Sequence, residues 1–351
     1  MLYIAIFLVL AVLAQSRPKE TYVPALVALY LFVAFRWEVG CDWHGYLYQY
    51  RFWQGDTLKD ALFSREPLWR PIFFLQHQIG LEYQWLNVVA AIPFFAGIHA
   101  IARREPNPTA FLALVFPILI LNMPMSAIRQ SVAIGIICYA YLAFVHRKTI
   151  RYVILVLIAA GFHTSALPFV ILALFIGREL SWRMVASALV VVVPAVFLFA
   201  GSDSAQIAAQ RYLGTDIEAS GAYLRTGTLA ITGLAYLLLL NRSWREKHPR
   251  SHPLVLIASV LMIMTIPLVI FSTVIGDRYA YYIMPLQATI LARLPYFEQF
   301  RDKPVIAWLP YIALVGVLLV WSLLSSHFSY CYAPYLTWLF GTQESRLGIF
   351  Y

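Results

Sequence analysis

The chain has 351 residues, of which 61% are hydrophobic, 16% aromatic and only 12% charged. Soluble domains carry about twice that share of charge, so a water-soluble enzyme and a disordered chain are both excluded. The formal net charge of +9 comes from basic residues scattered in short runs between apolar segments, which leaves no footprint for nucleic acid.

Apolar runs recur along the whole length and read as an all-α, polytopic transmembrane helical bundle of about 11–13 helices. The alternation expected of an outer-membrane barrel is missing. The opening "MLYIAIFLVLAVLAQ" has no basic residue ahead of its apolar part, so it reads as a retained first helix and not as a signal peptide. Further helices are expected near 22–35, 84–101, 108–121, 130–146, 150–162, 165–177, 184–200, 224–240, 253–274, 279–292 and 304–326. Residues 36–66 are expected to form a first large outer loop with short helices, and 201–224 a second outer loop, within a single transmembrane domain over 1–351. If alternate loops from "SRPKE" onward face the cytoplasm, that face collects 16 of the 26 Lys and Arg but 6 of the 17 Asp and Glu. This bias predicts cytoplasmic loops at 102–107, 146–151 and 241–252, with both termini outside.

Against this apolar background the unexpected polar residues fall on the outer side. "FRWEVGCDWHGYLYQYRFW" supplies Arg36, Glu38, Asp42, His44, Tyr46 and Tyr48, and the same loop ends in "SREPLWRPIFFL" with Arg65, Glu66 and Arg70. "MPMSAIRQSVAIG" puts Arg129 and Gln130 at the outer start of a helix, and "GFHTSALPF" puts His163 at the outer end of another. "VIGDRYAYYIMP" places Asp277, Arg278 and Tyr279 at a further outer turn. One arginine at a membrane edge can simply snorkel, and His163 alone fits an interfacial cap. Several loops delivering charge to one level mark a site. Most of the aromatic residues of the first loop, among them Trp37, Trp43 and Tyr50, read as an interfacial belt. Cys41 and Cys331 both map outside, where an oxidising compartment would permit a bond between them, but three cysteines make no disulfide framework.

Taken in order, "FR..GxD..Y", "E-P-L", "R-Q", "FH.SAL" and "R-Y" resemble the EpsG family of Wzy-type polysaccharide polymerases. The matching residues are Arg36, Gly40, Asp42, Tyr46, Glu66, Pro67, Arg129, Gln130, Phe162, His163, Ser165, Ala166, Leu167, Arg278 and Tyr279, over roughly the first 285 residues. Trp69 and Arg70 depart from the family's plainer apolar pair, and "SYCYAPYLTWLFGTQESRLGIFY" matches nothing in it. The resemblance implies a GT-C-like membrane glycosyltransferase in a bacterial inner (cytoplasmic) membrane, with its site facing the periplasm or the outside. The donor and acceptor it implies are undecaprenyl-diphosphate-linked oligosaccharides, the sugar hydroxyl of one repeat unit attacking the other. The lipid bilayer and a chain-length regulator protein are its further implied partners.

Departure of a lipid diphosphate builds negative charge that a metal or several guanidinium groups must hold. No D-x-D motif occurs, so the reading is metal-free and cofactor-free, with Arg36, Arg129 and Arg278 as the diphosphate ligands. The attacking hydroxyl needs a base: Asp42, His163, Glu66 and Asp277 are candidates, the first three carried forward as the catalytic residues. Asp42 ranks first by analogy with a first-loop carboxylate in the GT-C class, and His163 second because an unperturbed imidazole titrates near neutral pH. Gln130, Tyr46, Tyr279 and Asp277 are expected to bind substrate. Three alternatives remain at this stage: a glycan ligase of the same chemistry, a membrane acyltransferase using His163, and a secondary transporter, which would carry mid-membrane charges and inverted repeats.

Overall fold

The computed structural model describes residues 1–16, 19–52, 57–64, 66–178 and 221–341. The helix expected at 184–200 and all but the end of the loop expected at 201–224 lie outside the described residues, as do Arg17, Trp53, Arg65 and Arg183.

Backbone amides in a lipid phase must be bonded within their own segment, and the described residues are accordingly helical, with one isolated bridge between Arg36 and Thr337 in place of any strand. In chain order the helices are α1 (Leu2–Ser16), α2 (Tyr22–Ala34), the short α3 (Trp43–Arg51), α4 (Leu58–Leu62) and α5 (Arg70–Gln78), then α6 (Gln84–Ala102), α7 (Pro108–Ile120), α8 (Ile128–Val145) and α9 (Thr149–Phe162). A 3-10 helix, Thr164–Phe175, follows, then α10 (Ala222–Lys247), α11 (His252–Phe271), α12 (Thr273–Arg293), α13 (Glu298–Arg301), α14 (Pro304–Leu324) and α15 (Ser326–Tyr332). Five of them, α6, α8, α10, α11 and α14, are long and apolar enough to cross a membrane.

One boundary differs from the expected one for a local reason. Ser272 leaves the helical conformation and its side chain accepts a bond from the Ile275 N–H, an N-cap that ends α11 and starts α12 six residues early. Asp277 and Arg278 thereby sit in the opening turns of a helix and not in a loop.

Small residues let the helices touch. A Cβ on Gly97 would stand 2.1 Å from the Gly135 carbonyl oxygen, so α6 and α8 meet backbone to backbone. Side-chain bonds sort the loops onto two ends of the bundle. Tyr22 meets His99 at 2.8 Å, Arg293 meets Glu105 at 2.6 Å and Lys247 meets Glu298 at 2.9 Å at one end. Arg36 meets Asn87, Arg129 meets Glu66 and Cys41 meets Cys331 at the other. Among the described residues, loops 102–107 and 241–252 thus share one end and the first loop lies at the other.

Trp37, Trp43 and Tyr46 of the first loop are not part of a belt. Trp37, Trp43, Tyr46, Trp69, Phe73 and Tyr83 bury one another in a second apolar core at the Asp42 end, while Tyr48 and Phe52 stay exposed. The C-terminal segment, silent in the sequence, straps this loop down. Gly40 N–H donates to the Cys331 carbonyl at 2.8 Å, Trp37 N–H to that of Leu336 at 2.9 Å, and Thr337 Oγ1 to that of Phe35 at 2.7 Å. The Cys41–Cys331 disulfide closes the strap.

Candidate active site

Gly40 fixes where Asp42 goes. Its φ is +105°, and a Cβ there would stand 1.7 Å from the Met125 carbonyl oxygen, so only glycine lets the first loop lie directly on the turn before α8. Two residues on, the Asp42 N–H reaches Ser126 Oγ at 3.3 Å. Asp42 stands at the N-cap position of α3, yet its carboxylate makes no capping bond and the residue is open to solvent. Protein packed around it nevertheless desolvates the carboxyl and pushes it above the ordinary carboxylate range, with Arg129, Ser126 and Arg278 pulling the other way.

Gly40→Ala is therefore expected to remove activity and lower the thermal midpoint together. Positive φ alone costs a non-glycine residue about 1–2 kcal/mol, and the overlap with Met125 backbone adds to it. Gly45→Ala, whose Cβ would meet nothing within 4 Å, should do neither. Thermal unfolding and polymer yield of the two variants check this.

The "E-P-L" segment is held by a second close approach. Leu68 N–H donates to the Gly161 carbonyl at 3.0 Å, and a Cβ on Gly161 would lie 2.8 Å from the Leu68 side chain. Glu66 is thereby set against α8, where it pairs with Arg129 at 2.5 Å. Arg129 Nε donates to the Tyr46 hydroxyl at 3.2 Å, and its guanidinium lies 5.5 Å from that ring's centre. The Arg129 side chain stays 34% exposed, and its Nη2 has no protein partner among the described residues.

Gln130 does a different job from its neighbour. It is buried, and its Nε2 donates to the Arg278 carbonyl at 2.7 Å, so "R-Q" and "R-Y" are one linked unit. Arg278 is near enough to act electrostatically on both Asp42 and Tyr282. His163 ends α9 in an extended conformation without capping the 3-10 helix. Its Nδ1 lies 2.6 Å from Ser165 Oγ, which lies 3.0 Å from the Tyr282 hydroxyl, and Glu66 is within electrostatic reach of Tyr282. Asp42, Tyr46, Glu66, Arg129, Arg278 and the His163–Ser165–Tyr282 chain thus form one neighbourhood drawn from five segments.

Besides Gln130, two expected residues are placed otherwise. Arg36 is 1% exposed, and its Nε, Nη1 and Nη2 donate to Val39 O, Val33 O and Asn87 Oδ1 at 2.9, 2.8 and 2.6 Å. Burial draws its guanidinium down to about 10, still protonated at neutral pH. It staples the loop from behind and offers a diphosphate no open edge. Asp277 is buried in a two-pronged pair with Arg225, at 2.7 and 2.8 Å, and is not open to substrate. Tyr279 is half-buried, its ring centre 6.5 Å from that of Phe169 and within electrostatic reach of Tyr282, at the edge of the same neighbourhood. Arg225, Ser126 and Tyr282 were not singled out in the sequence. The first sits in "AYLRTGT", where nothing in the pattern tells a paired arginine from a snorkelling one.

Among the described residues, Cys41, His327 and Cys331 are the one group with metal-ligand spacing, and the two sulfurs are bonded to each other. The pattern of the EpsG family matches residues 21–337, which carries the likeness past residue 285 and through the C-terminal strap. No curated protein and no solved structure matches the chain.

Proposed function

The chain belongs to the EpsG family of Wzy-type polysaccharide polymerases, and on that premise we propose that it joins lipid-linked repeat units at the Asp42 end. The observation that carries the reading is an open carboxylate, Asp42, within electrostatic reach of two arginines, Arg129 and Arg278. The donor's diphosphate lies against the two guanidinium groups. The acceptor hydroxyl gives its proton to Asp42 as its oxygen bonds the anomeric carbon, and the bond to the diphosphate breaks with its electron pair passing to the leaving oxygen. Glu66 aims Arg129, Gln130 holds the backbone of Arg278, and the His163–Ser165–Tyr282 chain donates a hydrogen bond to sugar or diphosphate. Guanidinium groups supply the charge that a metal supplies in other transferases, so the reaction needs none.

The Asp42 end faces the periplasm or outside of a bacterial inner membrane in this reading. The basic residues gather at the opposite end, and a disulfide persists where the compartment is oxidising. The carrier is undecaprenyl diphosphate on both donor and acceptor.

The test is reconstitution with a labelled lipid-linked repeat unit. A ladder of longer products with release of free lipid diphosphate, unchanged by EDTA, is expected. Loss with EDTA and recovery with magnesium or manganese would sink the arginine account. In cells, an impermeant thiol reagent should label a cysteine placed at exposed Lys59 but not one at exposed Lys247; the reverse overturns the orientation.

A further inference from the structure

At the end of the bundle opposite Asp42, the C-terminal ends of α6 and α8 and the first turn of α9 enclose a cavity of about 360 Å3. That lies in the lower part of the range for small-ligand sites, roughly 300–1,000 Å3. Arg103, Arg104, Lys148 and Arg151 line it with His99 and His146, and no carboxylate does. The nearest acid in the chain, Glu105, is turned to Arg293, at 2.6 and 3.3 Å. Among the described residues none of the four cations makes an ion pair.

Ordinary helix electrostatics accounts for part of this and not the rest. Arg103 and Arg104 follow the end of α6 and Lys148 follows α8, where a helix dipole favours cations. Arg151 lies in the first turn of α9, where the dipole disfavours one. The chain also takes a strained route to bring these groups together. Arg147 has φ +58°, the left-handed position after a helix that glycine normally fills. Its N–H donates to Phe144 O and that of Lys148 to Ala143 O, both at 2.9 Å, folding Lys148 back over the end of α8. The cavity's wall is itself fixed: Tyr139 donates to the Ala96 carbonyl at 3.1 Å, and Arg104 Nη1 to that of Ala100. Desolvation, and after it the charge of the neighbouring Arg103, lower the Arg104 guanidinium, and a bound anion would offset both. Beside the cavity, Ile150 and Ile154 on α9 are exposed apolar side chains.

We propose that this cavity binds a phosphate ester, and that the source is the headgroup of an anionic membrane lipid whose chains lie along α9. Forked guanidinium groups match phosphate oxygens, and a basic pocket between spanning helices at headgroup depth recognises such lipids. The site is separate from the reaction centre and does not rest on the reaction assigned to it.

The full chain, purified in mild detergent, is offered phosphatidylglycerol or phosphatidylcholine of the same acyl chains, and retained lipid is counted by native mass spectrometry. Wild type should keep the anionic lipid preferentially. Arg103→Gln with Arg151→Gln should cut that preference about tenfold or more, while Arg242→Gln with Arg245→Gln, in the last turns of α10 at the same end, should leave it intact. If the first pair unfolds, Arg151→Gln alone, at an exposed position, carries the comparison through a smaller drop. Inorganic phosphate at millimolar levels serves as competitor. Displacement of the lipid shows that the phosphate group itself is recognised and that soluble phosphate shares the site; no displacement assigns the site to the lipid. Equal retention of the two lipids by wild type, or equal loss in both variant pairs, would overturn the proposal in favour of diffuse positive charge.

Discussion

Replacing Asp42 with asparagine is expected to lower polymer formation by about a hundred- to ten-thousand-fold, the range for loss of a general base. The substitution is nearly isosteric and keeps the backbone bond to Ser126. Stability should not fall with activity. The Asp42 carboxyl is raised by desolvation, so the folded state holds its proton to higher pH than the unfolded state does. Below the unfolded value both states are neutral and nothing is lost; as pH rises through the folded value, ionisation penalises the fold. Asparagine removes that penalty, and the thermal midpoint at neutral pH should stay level or rise. The same shift sets the acid limb of the wild-type rate above the ordinary aspartate range. His163→Gln should act more mildly, because the imidazole is already engaged with Ser165. An active Asp42→Asn beside a dead His163→Gln would give the base role to the histidine.

Helix positions were legible because apolar length alone decides what can sit in lipid, and the loops could be sorted into two groups because basic residues collect in one of them. From those two facts the outer polar residues could be gathered onto one level. Which of them touch was not legible. Arg36, Arg129 and Arg225 occupy similar positions in sequence, each at the end of an apolar segment. One staples a loop, one faces an open site and one is locked to Asp277. The difference lies in the rotational setting of neighbouring helices, which Gly97 against Gly135 and Gly40 against Met125 determine. The aromatic core and the C-terminal strap were hidden for a related reason. A tryptophan at a membrane edge has the same neighbours in sequence whether it meets lipid or another tryptophan. Cys41 and Cys331 were placed on one side, but 290 residues of chain separate them and only the fold shows them adjacent.

Arg129→Lys should lower turnover by about a hundred- to a thousand-fold, the scale seen when one donor to a developing oxyanion is removed. Charge is conserved, so a purely electrostatic steering role would predict little change. Geometry is what the substitution removes. The guanidinium keeps Nη1 on Glu66 and Nε on Tyr46, while Nη2 has no partner among the described residues and the side chain is 34% exposed. An ammonium is a point charge that cannot hold two protein partners on one side and a phosphate oxygen on the other. Since the charge on the leaving oxygen grows only as the glycosidic bond breaks, the loss should fall on kcat with KM for the donor little changed. Glu66→Gln should be damaging alone and nearly silent when added to Arg129→Lys, because its contribution passes through the guanidinium it aims. A rise in KM with kcat intact would instead make Arg129 a docking group for the ground-state diphosphate. Arg278 would then be the arginine that follows the charge as it forms.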